Sequence, residues 1–142
     1  MTFRVVENAV EWVRGRPEMY FAAGSPDIFE LVRAVWGDAV LSGVADILVH
    51  HDVSAWVVAG SSDWLTDGEV QPAELFSRIV PLAAAGPNSQ RSEILLNAFC
   101  SEVVAISAGT EIFCKGAGSV RTLIDDVFGR WPDLHTAVAF RL

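Results

Sequence analysis

Apolar residues recur at two spacings along the chain, and these spacings predict helices and strands in a definite order. A spacing of three and four residues is typical of a helix with one buried face. It predicts helices over Val5–Arg14, Ile28–Val40, a segment that begins at Pro72, Ser89–Phe99 and Val120–Phe128. Period-two segments predict strands at Ile47–Val49, Trp56–Val58, Val103–Ser107, Glu111–Lys115 and Ala137–Leu142.

Residues that favour turns and helix ends separate these elements. Ser25-Pro26-Asp27 supplies an N-cap hydroxyl, a proline for the first helical turn and an acid beside the positive end of the helix dipole. Gly43 is expected to end the same helix. The segment His50–Ser54 is interpreted as the turn of a first hairpin, and Ala108-Gly109-Thr110 as the turn of a second one.

The resulting order is α, α, β, β, α, α, β, β, α, β within a single domain that spans residues 1–142. Hairpins that alternate with helices predict a mostly antiparallel sheet. We therefore expect an α+β protein built as a two-layer sandwich, with the helices packed on one face of the sheet.

Composition narrows the possible partners and locations. Hydrophobic residues make up 51% of the chain and charged residues 20%, yet no apolar run reaches the roughly 18 residues of a membrane span. The start of the chain, Met1-Thr2-Phe3-Arg4, lacks the features of a signal peptide, so we expect a cytoplasmic protein with no membrane partner. A net charge of −8 with only ten Lys and Arg disfavours nucleic acid as a partner. Cys100 and Cys114 are expected to be buried thiols.

Four segments resemble, in order, the ATP-binding domain of DNA gyrase B and topoisomerase IV subunits. The segment Val13-Arg14-Gly15-Arg16-Pro17-Glu18-Met19-Tyr20 resembles the family signature VRKRPxMYIG, although Phe21-Ala22 replace its last two residues. The other three segments are Phe29–Val32 with Val40–Gly43, Pro72–Phe76 with Ala85-Gly86, and Leu95–Cys100. The resemblance implies the Bergerat fold of the GHKL superfamily, with a shortened ATP lid.

The resemblance also implies where the ATPase groups would stand. In one register the catalytic glutamate is Glu30 and the magnesium-binding asparagine is replaced by Ala34; in the other, the two positions are Leu31 and Val35. Neither register supplies a side-chain oxygen that could bind magnesium at the second position. Glu30 is therefore interpreted as a surface carboxylate or a relic of the catalytic base, and we expect no catalytic residue and no metal site.

The adenine-binding part of the family site is altered in the same way. Its aspartate position falls on Ala59 or Gly60, and Asp63 comes several residues too late. Only the glycine-free segment Pro87–Glu93 occupies the place of the glycine-rich lid, and the chain is too short to contain the domain that supplies the phosphate-binding lysine. The former nucleotide pocket is expected near Ala34, Gly60, Trp64 and Asn88, with no cofactor and no ATP hydrolysis.

Histidines and tryptophans offer further candidates. His50 and His51 are adjacent on the first hairpin, so they would point to opposite faces and could not easily share a metal ion. Trp36 and Trp56 fit the predicted core. Trp64 either fills the former nucleotide pocket or lies exposed as an anchor for a partner.

These observations favour a non-catalytic pseudo-ATPase that acts as a protein-interaction or regulatory module. Its partner would be another protein or a second copy of the chain. The alternative is a small-molecule binder that uses a remodelled nucleotide cleft, and weak ATP binding is a third hypothesis.

Overall fold

The computed structural model of the chain describes residues 8–66, 70–80 and 90–142. Within these described residues, five helices and five strands follow one another, with a short 3-10 helix at Pro17–Met19. The helices are α1 (Ala9–Arg14), α2 (Ile28–Leu41), α3 (Pro72–Leu75), α4 (Glu93–Phe99) and α5 (Arg121–Arg130). The strands are β1 (Ile47–Asp52), β2 (Ala55–Gly60), β3 (Glu102–Ser107), β4 (Thr110–Lys115) and β5 (Thr136–Arg141).

The strands form one antiparallel sheet in the order β1-β2-β5-β3-β4. The first predicted hairpin is confirmed, because Val49 lies opposite Val58 in the β1–β2 pair. The C-terminal strand β5 lies between the two hairpins and pairs with both of them. The predicted α+β class is therefore confirmed.

Helices cover both faces of the sheet, so the prediction of a two-layer sandwich with helices on one face is wrong. Val58, Val138 and Phe140 pack in a cluster with α1, α2 and α4. Val57, Ala139 and their neighbours on the opposite face pack against α5, through Leu123, Ile124 and Val127 among others. The reason lies in the central strands, where consecutive residues are apolar; both faces of such a strand must be covered.

Both hairpins turn more tightly than the sequence predicted. β1 continues through His50, His51 and Asp52, so the turn consists only of Val53 and Ser54. The second turn consists of Ala108 and Gly109, with φ angles of 50° and 78°. Positive φ at both central residues is the requirement of a type I′ turn, whose twist matches that of the two strands.

Polar side chains begin the first two helices. Asn8 accepts a hydrogen bond from the backbone N–H of Glu11 at the start of α1, and the predicted residues before it lie outside the described part of the chain. The predicted cap Ser25 is not the N-cap of α2. Asp27 has that position, because its carboxylate accepts hydrogen bonds from the N–H groups of Phe29 (2.8 Å) and Glu30 (3.2 Å).

The helices of the middle segment are shorter than predicted. α3 covers a single turn, and Ile79, which follows the end of that helix, is 44% exposed. α4 begins at Glu93, and its predicted cap Ser89 lies outside the described residues. Within the described segments, no helix combines the length and the apolar character that crossing a membrane requires.

Candidate functional site

Trp64 lies just beyond the end of β2, in the region where the sequence analysis places the former nucleotide pocket. Its side chain is fully buried, so the alternative of an exposed anchor for a partner is wrong. A Cβ atom on Gly60 would stand 3.1 Å from Cζ3 of Trp64 and 2.8 Å from Cγ1 of Val44. The indole therefore occupies the space beside residue 60. Asn88, the fourth predicted residue of this pocket, lies outside the described residues.

The two positions proposed for the adenine-binding aspartate do not lie on a common surface. Ala59 packs with the α5 cluster on the far side of the sheet, whereas Gly60 faces Val44 and Trp64. The carboxylate of Asp63 accepts hydrogen bonds from the N–H groups of Leu65 (2.8 Å) and Thr66 (3.0 Å). Asp63 thus stabilises the local turn that brings Trp64 into the core.

A buried cluster of charged residues lies beside Trp64. Asp38 accepts hydrogen bonds from the backbone N–H (2.7 Å) and the hydroxyl (2.6 Å) of Ser92. Arg91 donates to both carboxylate oxygens of Glu93, at 2.6 and 3.2 Å, and to the carbonyl oxygen of Trp64 at 2.8 Å. These bonds join α2, the end of β2 and the start of α4, so the cluster fixes the position of the Trp64 loop.

Burial dominates the electrostatics of this cluster. Removal from water raises the pKa of Glu93 to about 7, even though Arg91 beside it acts in the opposite direction. The same desolvation raises the pKa of Asp38, and the hydrogen bonds from Ser92 oppose the shift. An isolated buried carboxylate is costly, so the arginine and the serine compensate for the loss of hydration.

Sequence reasoning missed this cluster. One signal was present: Asp38 lies in α2 between Val35 and Ala39, on the side of the helix that carries apolar residues. A carboxylate at such a position requires a buried polar partner. The identity of that partner was not predictable, because Arg91 and Ser92 lie more than 50 residues away along the chain.

Glu30 and Ala34, the two positions of the first family register, line an open cleft of about 360 Å³ together with Tyr20, Arg33 and Trp36. One carboxylate oxygen of Glu30 accepts a hydrogen bond from the backbone N–H of Ala22 at 3.2 Å. Trp36 is 47% exposed, so its predicted place in the core is wrong. The reason is its angular position on α2, which lies on the side of the helix turned away from the sheet.

The two residues that the second alignment with the family assigns to the catalytic and magnesium-binding positions lie in the hydrophobic core. Leu31 and Val35 are both almost fully buried against the sheet. Neither residue could reach a ligand without unfolding of the helix. Only the first register, with Glu30 and Ala34, therefore lies beside an open surface.

The arginines of the VRGRP segment make structural contacts. Nε of Arg14 donates a hydrogen bond to the carbonyl oxygen of Ala98 at 2.9 Å, near the C-terminus of α4. Arg16 donates to the carbonyl oxygen of Trp12, and its guanidinium lies 4.3 Å from the centre of that indole ring. A cation at a helix C-terminus and a cation over an aromatic ring are both stabilising.

A second open surface lies beside the first hairpin. The rings of Phe29 and Trp56 are 5.5 Å apart, and His51 lies 4.6 Å from Trp56. These side chains line a cleft of about 490 Å³. Trp56 is half-buried and packs on the core, as predicted, while the turn residue Val53 is fully exposed.

The two cysteines differ in their surroundings. Cys100 is buried, and desolvation raises its pKa to about 12, so the thiol stays protonated. Cys114 is exposed, which contradicts the prediction of a second buried thiol; it lies in β4, a strand at the edge of the sheet, where fewer neighbours cover a side chain. In the part of the chain that the structure describes, no three His, Cys, Asp or Glu side chains come together as a metal site.

Comparisons of the chain with known protein families, with curated proteins and with solved structures return no match.

Proposed function

We propose that this chain is a non-catalytic, gyrase B-like pseudo-ATPase domain that acts by binding another protein molecule. The observation that carries the proposal is the packing of Trp64 against Gly60, in the region where the family resemblance places the nucleotide. A nucleotide base and a buried indole cannot occupy the same space. The loss of the pocket therefore favours a function that depends on the outer surface.

The chemistry of the α2 side chains supports the same proposal. Glu30 lines an open cleft, but Ala34 is its neighbour one helical turn later and offers no oxygen for magnesium. In the other register both positions are core residues. The order of elements also supports the resemblance, since α2 precedes the first hairpin and α4 precedes the second.

Exposed apolar side chains on α2 support a role in protein contacts. Phe29 is 61% exposed, Trp36 47%, Val40 42% and Leu41 46%. Single exposed apolar residues are ordinary, but several on one helix form a patch of the kind that partners cover. Aromatic residues are also enriched among the residues that contribute most to binding.

A second candidate function, small-molecule binding, is favoured by the cleft beside Glu30. Its volume of about 360 Å³ lies at the lower end of the roughly 300–1,000 Å³ typical of ligand pockets. Tyr20 and Trp36 offer aromatic surface, while Glu30 and Arg33 offer one charge of each sign. A zwitterionic or aromatic ligand would suit this lining.

A thermal-shift experiment separates the two functions. The full chain is heated with ATP, ADP and GTP, each with and without magnesium, and phosphate release is measured in parallel. We expect no shift and no turnover, whereas a ligand at 100 times its Kd would add about 2.7 kcal/mol to the free energy of unfolding. A nucleotide shift that is lost in Trp36→Ala and Glu30→Gln, but kept in the exposed control Ile79→Ala, would overturn the proposal in favour of the small-molecule function.

A further inference from the structure

Three exposed apolar residues and one arginine form a stripe along the outer side of α2. Phe29, Arg33, Trp36 and Val40 are separated by four, three and four residues, the spacing that places side chains on one side of a helix. All four side chains are exposed, and Phe29 also contacts the ring of Trp56 in β2. These four residues are called the α2 stripe below.

The spacing of the α2 stripe is the same in both chain directions. When two copies of α2 pack antiparallel about a two-fold axis, Phe29 faces Val40 of the second copy and Arg33 faces Trp36 of the second copy. Each contact then occurs twice, as a two-fold interface requires. The spacing of the stripe therefore permits a two-fold symmetric pairing of two copies.

The paired side chains are also complementary in chemistry. A guanidinium over an indole ring is an attractive cation–π contact, and Arg33 would make it with Trp36 of the second copy. Phe29 and Val40 would bury apolar surface at the two ends. Gly37 lies next to Trp36 along the helix, and a Cβ there would meet no atom within 4 Å, so a second helix can approach closely at this point.

The distribution of charge favours the outer side of α2 as the surface through which two copies make contact. The chain carries a net charge of −8, and two such molecules repel each other at long range. The outer side of α2 has one acid, Glu30, and one base, Arg33, because the third charged residue of the helix, Asp38, is buried. This side is therefore locally neutral, and added salt would screen the remaining repulsion.

We propose that two copies of this chain associate through α2, antiparallel, with the α2 stripe of each copy against that of the other. The inference rests on the proposed protein-contact function and names its partner. A helix of 14 residues is about 21 Å long, so the contact area is small and the expected dissociation constant is micromolar or weaker.

The first test is sedimentation equilibrium on the full chain over a wide concentration range, at low and high salt. We expect a monomer–dimer equilibrium that salt strengthens. Trp36→Ala and Arg33→Glu should each raise the dissociation constant at least about tenfold, because both remove the cation–π contact at the centre. The matched control Asp125→Asn alters an exposed residue of α5, the helix on the opposite face of the sheet, and should leave the equilibrium unchanged.

A second test examines the antiparallel register by disulfide formation in a Cys114→Ser background, which removes the exposed natural thiol. Phe29→Cys mixed with Val40→Cys should give a cross-linked dimer under mild oxidation, and each variant alone should give much less. Cross-linking of Phe29→Cys with itself would contradict the register. Circular dichroism on every variant confirms that the chain is folded.

The outcomes separate this inference from the proposed function. A monomer at all concentrations, or a dimer that Trp36→Ala and Arg33→Glu leave intact, overturns the α2 pairing alone. Nucleotide binding in the thermal-shift experiment overturns the proposed function whatever the oligomeric state.

Discussion

The indole of Trp64 lies so close to Gly60 that a methyl group on residue 60 would stand 3.1 Å from the ring. The two residues are four positions apart, and the carboxylate of Asp63 holds the turn that contains Trp64 by accepting hydrogen bonds from the N–H groups of Leu65 and Thr66. The contact joins the end of β2 to the hydrophobic core beneath α2. Residue 60 therefore has to be glycine because the indole of Trp64 leaves no room for a side chain, and not because the backbone there has an unusual conformation.

Gly60→Ala should destabilise the protein by about 1–3 kcal/mol, because the added carbon overlaps Val44 and Trp64 in a closely packed region. Urea unfolding followed by tryptophan fluorescence measures the change. The matched control is Gly129→Ala in α5, where a Cβ meets no atom within 4 Å; this variant should gain roughly 0.5–1 kcal/mol from helix propensity. Equal effects of the two substitutions would contradict the packing described for Gly60.

Trp64→Ala should cost about 3–5 kcal/mol, because it leaves a cavity in the core. Free indole should bind in that cavity and raise the unfolding temperature of the variant but not of the natural chain. Trp64→Phe is the matched control: it keeps most of the buried surface and removes an indole N–H that has no hydrogen-bond partner among the described residues, so it should cost less. Indole stabilisation of the natural chain would show that the site is not filled.

Stability should fall as pH rises from about 4.5 to about 7, because burial raises the pKa of Glu93 from 4.5 to about 7 on folding. Between these values the folded chain binds a proton that the unfolded chain has already released. One such proton changes the free energy of unfolding by at most about 1.4 kcal/mol per pH unit. The raised pKa of Asp38 acts in the same direction.

Urea unfolding at several pH values measures this slope. Glu93→Gln should flatten it between pH 4.5 and 7, since a glutamine does not titrate. Asp125→Asn, a change at an exposed acid of α5, should keep the slope of the natural chain. A slope that is the same in all three proteins would mean that Glu93 keeps its ordinary affinity for protons.

Glu30→Ala should cost less than about 1 kcal/mol, because the residue is only half-buried and its hydrogen bond to Ala22 is an exposed one. Asp27→Ala is the comparison, and it should cost about 1 kcal/mol through loss of the α2 N-cap. Chemical unfolding measures both. A large loss at Glu30 with none at Asp27 would indicate that the cleft residue has a structural role that the observed contacts do not explain.

The order of elements was predictable from local patterns, and the first hairpin shows why. Apolar residues alternate with other residues around Val49 and Val58, and this period of two indicates strands. The short segment between the two strands permits only a tight turn. The exact turn was not predicted, because His50 and His51 are compatible with either a turn or an edge strand. Pairing with β2 decides in favour of the strand.

The candidate site was predictable only in part. The positions of Glu30 and Ala34 on one side of α2 follow from helical spacing, and the structure places both beside the same cleft. Trp36 was misplaced because a helix near a sheet edge has a wide exposed side, and an apolar residue alone does not indicate which side it faces. Whether a side chain is buried depends on which other element packs against that side of the helix. The spacing of apolar residues along the sequence gives no information about that element.

The sequence by itself determined the order of helices and strands, the α+β class and the strand pairs joined by short turns. Local periodicity and turn residues suffice for these features, because they depend on neighbours within a few positions. Only the tertiary structure decided that α5 covers the second face of the sheet, that Trp64 lies against Gly60, and that Arg91 meets Glu93 beside Asp38 in the core. Those features depend on which segments, far apart along the chain, pack together and exclude water. That packing is a property of the assembled fold.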